Sequence, residues 1–399
     1  MPSALDSVGR LFIDEPSALQ SLISVSALMD LVPERPVQKA SDVERPWTGN
    51  VDIPVRLRQV LDLFFDSYDA AENDFDAAFA EVDSFQMDTL LRWGVGYLIG
   101  DGGDDLASQA DESGLEELDE AELESELRTE RIFEITAVID RNRLAEAALK
   151  IAKASETALS KIEGISVQGD ADIEVPDSVA AGDIVYWTNT ERGHVVIGGP
   201  GRTEYRTRSA LIIDFGGDDI YAAAGGADSL VQFSVCLELG GDDIYSSELP
   251  FAFGSGGLGF GVLIDAAGDD LYRSGDFGIG SASYGLGYLV DRSGNDSYSG
   301  NIGSQGAGFM GFGILRDEAG SDQYSARLYS QGFGFVGGFG MLADRSGNDS
   351  YTAAGNVVDR LRYSDHYLSL SQGFGYGNRP DWSGGIGLLL DAGGNDVYI

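Results

Sequence analysis

The sequence predicts an α+β multidomain protein: an α-helical N-terminal domain followed by a parallel β-solenoid of about seven repeats of about 26 residues. Three observations carry this expectation. An octapeptide, [DE]-x-x-G-x-D-x-Y, occurs seven times after residue 210. Between its copies Gly alternates with Phe, Leu or Tyr in a period of two, which is strand geometry. Before residue 165 the apolar residues instead recur every three or four positions, which is helical. The chain therefore divides into an irregular segment 1–53, an α-helical domain 54–165, a β-rich connector or cap 166–210, and the repeat solenoid 211–399.

Taken in order, residues 1–53 hold five of the ten prolines and admit one short helix near Leu19–Leu31. From Pro54, the stripe Val55, Leu57, Val60, Leu61, Phe64 and Phe65 marks a helix that continues to Val82. Asp83–Leu98 reads as another, capped by Asp83 or Ser84. Leu115–Glu130 is a strongly acidic helix, and Ile132–Ile162 a long one that Gly164 stops. No chemical motif stands out in this half. Asp183–Ile197 then reads as two strands joined by a polar turn.

The octapeptides end at Tyr221, Tyr245, Tyr272, Tyr298, Tyr324, Tyr351 and Tyr398, at intervals of 24, 27, 26, 26, 27 and 47 residues. The last interval holds an extra insertion around Asn356–Leu370. A repeat of 26 residues without a helix is too short for a four-stranded propeller blade, which needs about 40–45. One solenoid coil per repeat fits, with coils about 4.8 Å apart and equivalent residues in ladders. The glycines of the intervening strands signal close approach of another backbone or a ligand.

Stacking aligns two columns of acids. The first position gives Asp214, Glu238, Asp265, Asp291, Asp317, Asp344 and Asp391. The sixth gives Asp219, Asp243, Asp270, Asp296, Asp322, Asp349 and Asp396. Like charges about 5 Å apart at an effective dielectric near 20 repel by roughly 3 kcal/mol per neighbouring pair. No Lys occupies a fixed place in the motif, and Arg occurs in only two copies, as Arg292 and Arg345. A divalent cation between coils would remove the repulsion. The ligands on offer are carboxylates and turn carbonyls, which favours Ca²⁺ over zinc. A metal-free alternative stands beside this: Asp caps backbone N–H groups at a tight turn, Gly supplies a positive φ, and Tyr fills the core.

The G-x-D-x-Y half of the motif, as in GGDDIY, SGNDSY and GGNDVY, resembles the second half of the RTX, or haemolysin-type, calcium-binding nonapeptide. The resemblance covers the octapeptides only. It implies that Gly217, Gly241, Gly268, Gly294, Gly320, Gly347 and Gly394 shape the turn, that the sixth-position Asp column binds Ca²⁺, and that the Tyr column packs inward. This chain departs from that family in carrying an acid where the first Gly belongs, in lacking the second Gly and in its longer period.

Composition bounds the function. Of 399 residues, 66 are Asp or Glu and 26 Lys or Arg, a formal charge of −40. No basic surface for nucleic acid is expected, nor docking on an anionic membrane. No apolar run spans a bilayer, and the N-terminus does not read as a secretion signal. The Lys-poor, Asp-rich balance also suits high salt. The single cysteine, Cys236, and two histidines exclude a thiolate- or His-rich metal site. GGPGRTEY after His194 lacks the Lys and the context of a phosphate loop. Gly100–Leu106 (GDGGDDL) reads as a loop, Gln305, Gln331 and Gln372 as a side-chain ladder, and Asp365–His366 and Trp187 and Trp382 as surface and packing residues.

The expected function is a non-enzymatic, calcium-stabilised repeat protein: a structural, adhesive or self-assembling scaffold, extracellular or at the cell surface. Its partners would be a polysaccharide or protein surface, or a second copy meeting the last coil. The alternatives are a carbohydrate-active enzyme (a polysaccharide lyase or hydrolase on a β-solenoid) and a cytoplasmic scaffold with metal-free Asp turns. The helical domain and Asp183–Ile197 are expected to cover the first coil.

Overall fold

Helix α1 (Val55–Ala78) forms because Leu57, Val60, Leu61, Phe64, Phe65 and Tyr68 fall on one buried face. The computed structural model describes residues 45–50, 53–94, 115–169, 173–353, 357–358, 365–378, 382 and 384–399. The helix expected near Leu19–Leu31, the Gly100–Leu106 loop and residues 356 and 359–364 of the insertion lie outside these. Helix α2 (Ser84–Thr89) opens on a capping box between Asp83 and Gln86 and runs into one wide turn, Leu90–Gly94. The two helices expected over Leu115–Glu130 and Ile132–Ile162 are present with their break moved: the acidic one runs on to Val138 as α3 (Leu115–Val138), and α4 (Arg141–Ile162) follows. Asp140 divides them: its carboxylate accepts from the N–H groups of Asn142 and Arg143 and starts a new helix. Helices α1 and α4 pack together around an ion network in which Asp74 meets Lys150 and Arg143. Among the described residues, no helix is long and apolar enough to cross a membrane.

Strands β1 (Ala180–Thr190) and β2 (Gly193–Tyr205) form an antiparallel hairpin. Strand β2 serves the stack twice. Val195–Ile197 pairs in parallel with β3 (Leu211–Ile213), and Glu204–Tyr205 with β4 (Ile220–Tyr221). It is thus a coil in its own right, and the stack begins before residue 211. From Phe233 on, each coil carries a long strand that ends at the first motif acid and a short strand that contains the motif Tyr. The long strands are Phe233–Glu238, Phe260–Asp265, Leu286–Asp291, Phe312–Asp317, Phe339–Asp344 and Ile386–Asp391, all parallel and in register. Four two-residue strands, from Gly256–Gly257 to Gly334–Phe335, make a third parallel face.

The tyrosines are in register, as expected. Tyr221 pairs with Tyr245, and the ladder runs on to Tyr351, which pairs with Tyr398 across the long interval. From Tyr205 to Tyr398 the ring centroids are 4.5–4.9 Å apart and the rings tilt by no more than 10°. These rings and the leucine column Leu263, Leu289, Leu315 and Leu342 form a core inside the coils.

A second core lies outside the coils. Along each long strand the residues alternate: Gly261, Leu263 and Asp265 point inward, while Phe260, Val262 and Ile264 pack against the helices. Tyr68 stacks on Phe233 and donates to the carbonyl of Ala210. Phe75 meets Phe260 edge-on, Glu156 accepts from Tyr288, and Phe133 stacks on Trp382. The helices therefore lie along the flank of the stack, not over its first coil; strand β1 covers that edge. The physical reason is the outward apolar column, which needs a cover along its whole length. Nor do the strand glycines make a ligand floor. A Cβ on Gly261, Gly287, Gly313 or Gly340 would lie 1.9–2.2 Å from a carbonyl oxygen of the opposite wall, so the close approach is backbone to backbone.

Candidate metal centre

The turn after each long strand brings the two acid columns into the interior. Position 1 closes the strand, and its carboxylate accepts from the backbone N–H two residues on. Examples are Gly216 to Asp214 at 2.8 Å, Gly240 to Glu238 at 2.6 Å and Ala319 to Asp317 at 3.1 Å. In four copies an oxygen accepts from the Tyr hydroxyl of the preceding coil: Tyr245 to Asp265 at 2.6 Å, and 2.8 Å for Tyr272 to Asp291, Tyr298 to Asp317 and Tyr324 to Asp344; Glu238 Oε1 and Asp344 Oδ1 are left without a partner.

Position 6 is built differently. Its Oδ1 accepts from the backbone N–H of the equivalent residue one coil earlier, at 2.7 Å for Asp219 to Asp243, Asp243 to Asp270, Asp270 to Asp296 and Asp296 to Asp322. At five of the seven its Oδ2 has no partner, while Asp243 Oδ2 accepts from the Tyr245 hydroxyl at 3.5 Å. Asp219, Asp270, Asp296, Asp322 and Asp349 each bury an unpaired Oδ2, in side chains at most 3% exposed. An unpaired buried charged oxygen is among the costlier features a protein can carry.

Together, twelve of the fourteen acids are at most 3% exposed; Asp391 and Asp396, in the last coil, are half-buried. Among the described residues no Lys, Arg or His nitrogen lies within ion-pair distance of any of them. Their ligand atoms gather in threes, within 4.8 Å of one another. These are Asp214, Asp219 and Glu238; Glu238, Asp243 and Asp265; Asp265, Asp270 and Asp291; Asp291, Asp296 and Asp317; Asp317, Asp322 and Asp344. Asp344, Asp349 and Asp391 hold the equivalent places at the next gap. Burial first, and the neighbouring carboxylates second, push these groups toward the neutral form. Asp270 rises to about 11 and Asp243 and Asp296 to about 8, and Asp291 and Asp317 also rise well above the ordinary range. Such groups can hold a metal ion: the donors are all oxygen, and at five turns the position-6 Oδ2 is free to ligate. They do not line a cleft open to a polysaccharide.

The motif Gly has a role that its sequence position did not reveal. Only Gly217, Gly241 and Gly268 have φ in the left-handed region, at +130°, +156° and +153°. The shared requirement is steric. A Cβ on Gly241, Gly268, Gly294, Gly320, Gly347 or Gly394 would lie 1.6–2.0 Å from the carbonyl oxygen of the motif Gly one coil earlier.

Sequence reasoning also missed a degenerate eighth copy. GGPGRTEY places Gly198 at position 1, Gly201 at position 4, Thr203 at position 6 and Tyr205 at position 8. Thr203 keeps the ladder by donating its N–H to Asp219 at 2.5 Å, and Tyr205 donates to Asp214. Position 1 is Gly because a Cβ there would meet Asp214 and the Tyr205 hydroxyl within 2.1 Å. The signal was present in G-x-x-x-Y and the stacking Tyr, but the 16-residue interval to Tyr221 hid it. The glutamines do not form a side-chain ladder. Gln305 donates to the carbonyls of Tyr298 and Ser325, and Gln331 to those of Tyr324 and Thr352, so each clamps the backbones of two coils. His366 pairs with its neighbour Asp365 at the surface.

No protein-family model matches this chain, and neither the curated proteins nor the solved structures include a significant match. Fold and site define the class by themselves: a parallel β-solenoid with repeated buried acid triads, flanked by helices.

Proposed function

We propose that this chain is a structural repeat protein stabilised by calcium bound between its coils, serving as a surface scaffold or adhesive module outside cells. One observation carries the reading: five position-6 acids, Asp219, Asp270, Asp296, Asp322 and Asp349, bury an Oδ2 without a partner. Calcium takes 6–8 oxygens at flexible geometry and sheds its water, whereas magnesium dehydrates reluctantly and suits a nearly dry turn poorly. In this reading the G-x-D-x-Y turns act as haemolysin-type turns, with position 1 adding a second carboxylate. Calcium outside cells is millimolar, which would keep such sites loaded. Self-association would use the strands Ile386–Asp391 and Val397–Tyr398, which pair on one side only among the described residues.

A metal-free reading has one observation in its favour: Asp265, Asp291 and Asp317 are already satisfied by the turn N–H and the Tyr hydroxyl. In that case protons neutralise the row. Thermal melting in chelator and in millimolar calcium, at matched ionic strength, separates the two. Binding to the folded state alone adds about 2.7 kcal/mol per site at a hundredfold excess over Kd. Calcium should therefore raise the melting temperature by many degrees and magnesium by less. Coincident curves would leave the proton-neutralised ladder.

A further inference from the structure

The acid groups overlap, and the overlap is not symmetric between the two columns. Glu238 belongs both to the group of Asp214 and Asp219 and to that of Asp243 and Asp265. Asp265, Asp291 and Asp317 are each shared in the same way, whereas Asp219, Asp243, Asp270, Asp296 and Asp322 each belong to one group. The local geometry explains the difference. A position-6 acid has committed Oδ1 to the backbone of the coil before it, so Oδ2 alone serves the gap to the next coil. A position-1 acid sits at the end of a strand paired on both sides, as Asp291 is with Asp265 and Asp317. Its two oxygens offer about four lone-pair sites. The turn N–H and the Tyr hydroxyl take two, which leaves one on each oxygen for an ion.

Charge counting agrees with sharing. An interior gap owns one position-6 acid and half of each of two position-1 acids, a total of two negative charges. One divalent cation balances that; a monovalent ion would leave one charge uncompensated in every coil.

We propose that the position-1 acids are bridging ligands, so that the cations form one continuous file with a single divalent ion in every gap between motif-bearing coils, six ions over seven copies. The inference rests on the calcium reading above and deepens it: removing one position-1 acid disturbs two ions, and removing one position-6 acid disturbs one. The two columns look equivalent in sequence but have different reach.

The test counts ions. The full chain and its variants are saturated with calcium, freed of excess by gel filtration, and calcium per chain is measured by inductively coupled plasma mass spectrometry. Circular dichroism confirms the fold of each sample. The expected result is about six ions for the unaltered chain, about five for Asp296→Asn and about four for Asp291→Asn. Should Asp291→Asn fail to fold, Asp317→Asn against Asp322→Asn repeats the comparison one coil along, and Asp291→Glu, which keeps the charge, should retain about six. Equal losses from the two columns, with about six ions on the unaltered chain, overturn bridging and leave the calcium reading standing. About three ions on the unaltered chain means alternate gaps are filled and overturns the continuous file. No retained calcium overturns the calcium reading itself.

Discussion

Replacing Gly294 by Ala puts a methyl group where the stack has no room. Its Cβ would lie 1.7 Å from the carbonyl oxygen of Gly268 and within 3 Å of both Asp296 carboxylate oxygens. The obstruction is backbone, which cannot rotate away, so the turn must move by more than an ångström. That movement breaks or stretches the bonds tying this coil to its neighbours: Gly294 N–H to Ala319 O at 3.0 Å, Asp270 N–H to Asp296 Oδ1 at 2.7 Å and Arg292 N–H to Asp265 O at 3.1 Å. Each buried bond left unmade costs roughly 1–3 kcal/mol, so the variant should lose about 3–5 kcal/mol. Gly393→Ala is the control, because a Cβ there meets nothing within 4 Å; its change should stay within about 0.5 kcal/mol. Urea denaturation followed by circular dichroism in saturating calcium compares the two. A midpoint for Gly294→Ala equal to that of Gly393→Ala would refute the claim that the motif Gly is required by coil-to-coil contact.

Two further outcomes follow from the acid row. In chelator the folded state favours neutral carboxyls, with Asp243 and Asp296 near 8 and Asp270 near 11, against an ordinary Asp near 3.9. Their contribution is complete below about pH 4 and is lost as pH rises through about 8 and beyond, so the chelated protein should melt progressively lower between about pH 5 and about pH 9. Calcium binds the ionised form, so the melting temperature in millimolar calcium should fall less and the gap should widen with pH; a constant gap in calorimetry counts against ionised ligands. Tyr298→Phe removes the hydroxyl that donates to Asp317 at 2.8 Å while keeping the ring between Tyr272 and Tyr324. It should cost about 1–3 kcal/mol in chelator, read from the denaturation midpoint; an unchanged midpoint would mean that the hydroxyl does not support the acid.

The repeats were legible because motif and alternation act locally: Asp265, Gly268, Asp270 and Tyr272 each mark a fixed place in one coil. What escaped the sequence depends on pieces far apart in the chain. The outward faces of Phe260, Val262 and Ile264 showed that a cover was needed, but not that α1 and α4 would supply it along the flank. The sequence also could not distinguish the two acid columns. Asp291 and Asp296 differ in which neighbours their oxygens meet, and apart from the Ser293 N–H on Asp291 those neighbours lie 19–26 residues away. The break at Asp140 was readable as a cap and was overridden by the continuing apolar stripe.

The most direct measurement is a crystal structure of the full chain grown in calcium, with anomalous data collected at long wavelength. The account predicts a line of anomalous peaks inside the stack, each about 2.3–2.6 Å from a position-6 Oδ2 and from position-1 carboxylates of the two coils it joins. Turns without anomalous density, with the carboxyls of adjacent coils hydrogen-bonded directly to one another, would contradict it.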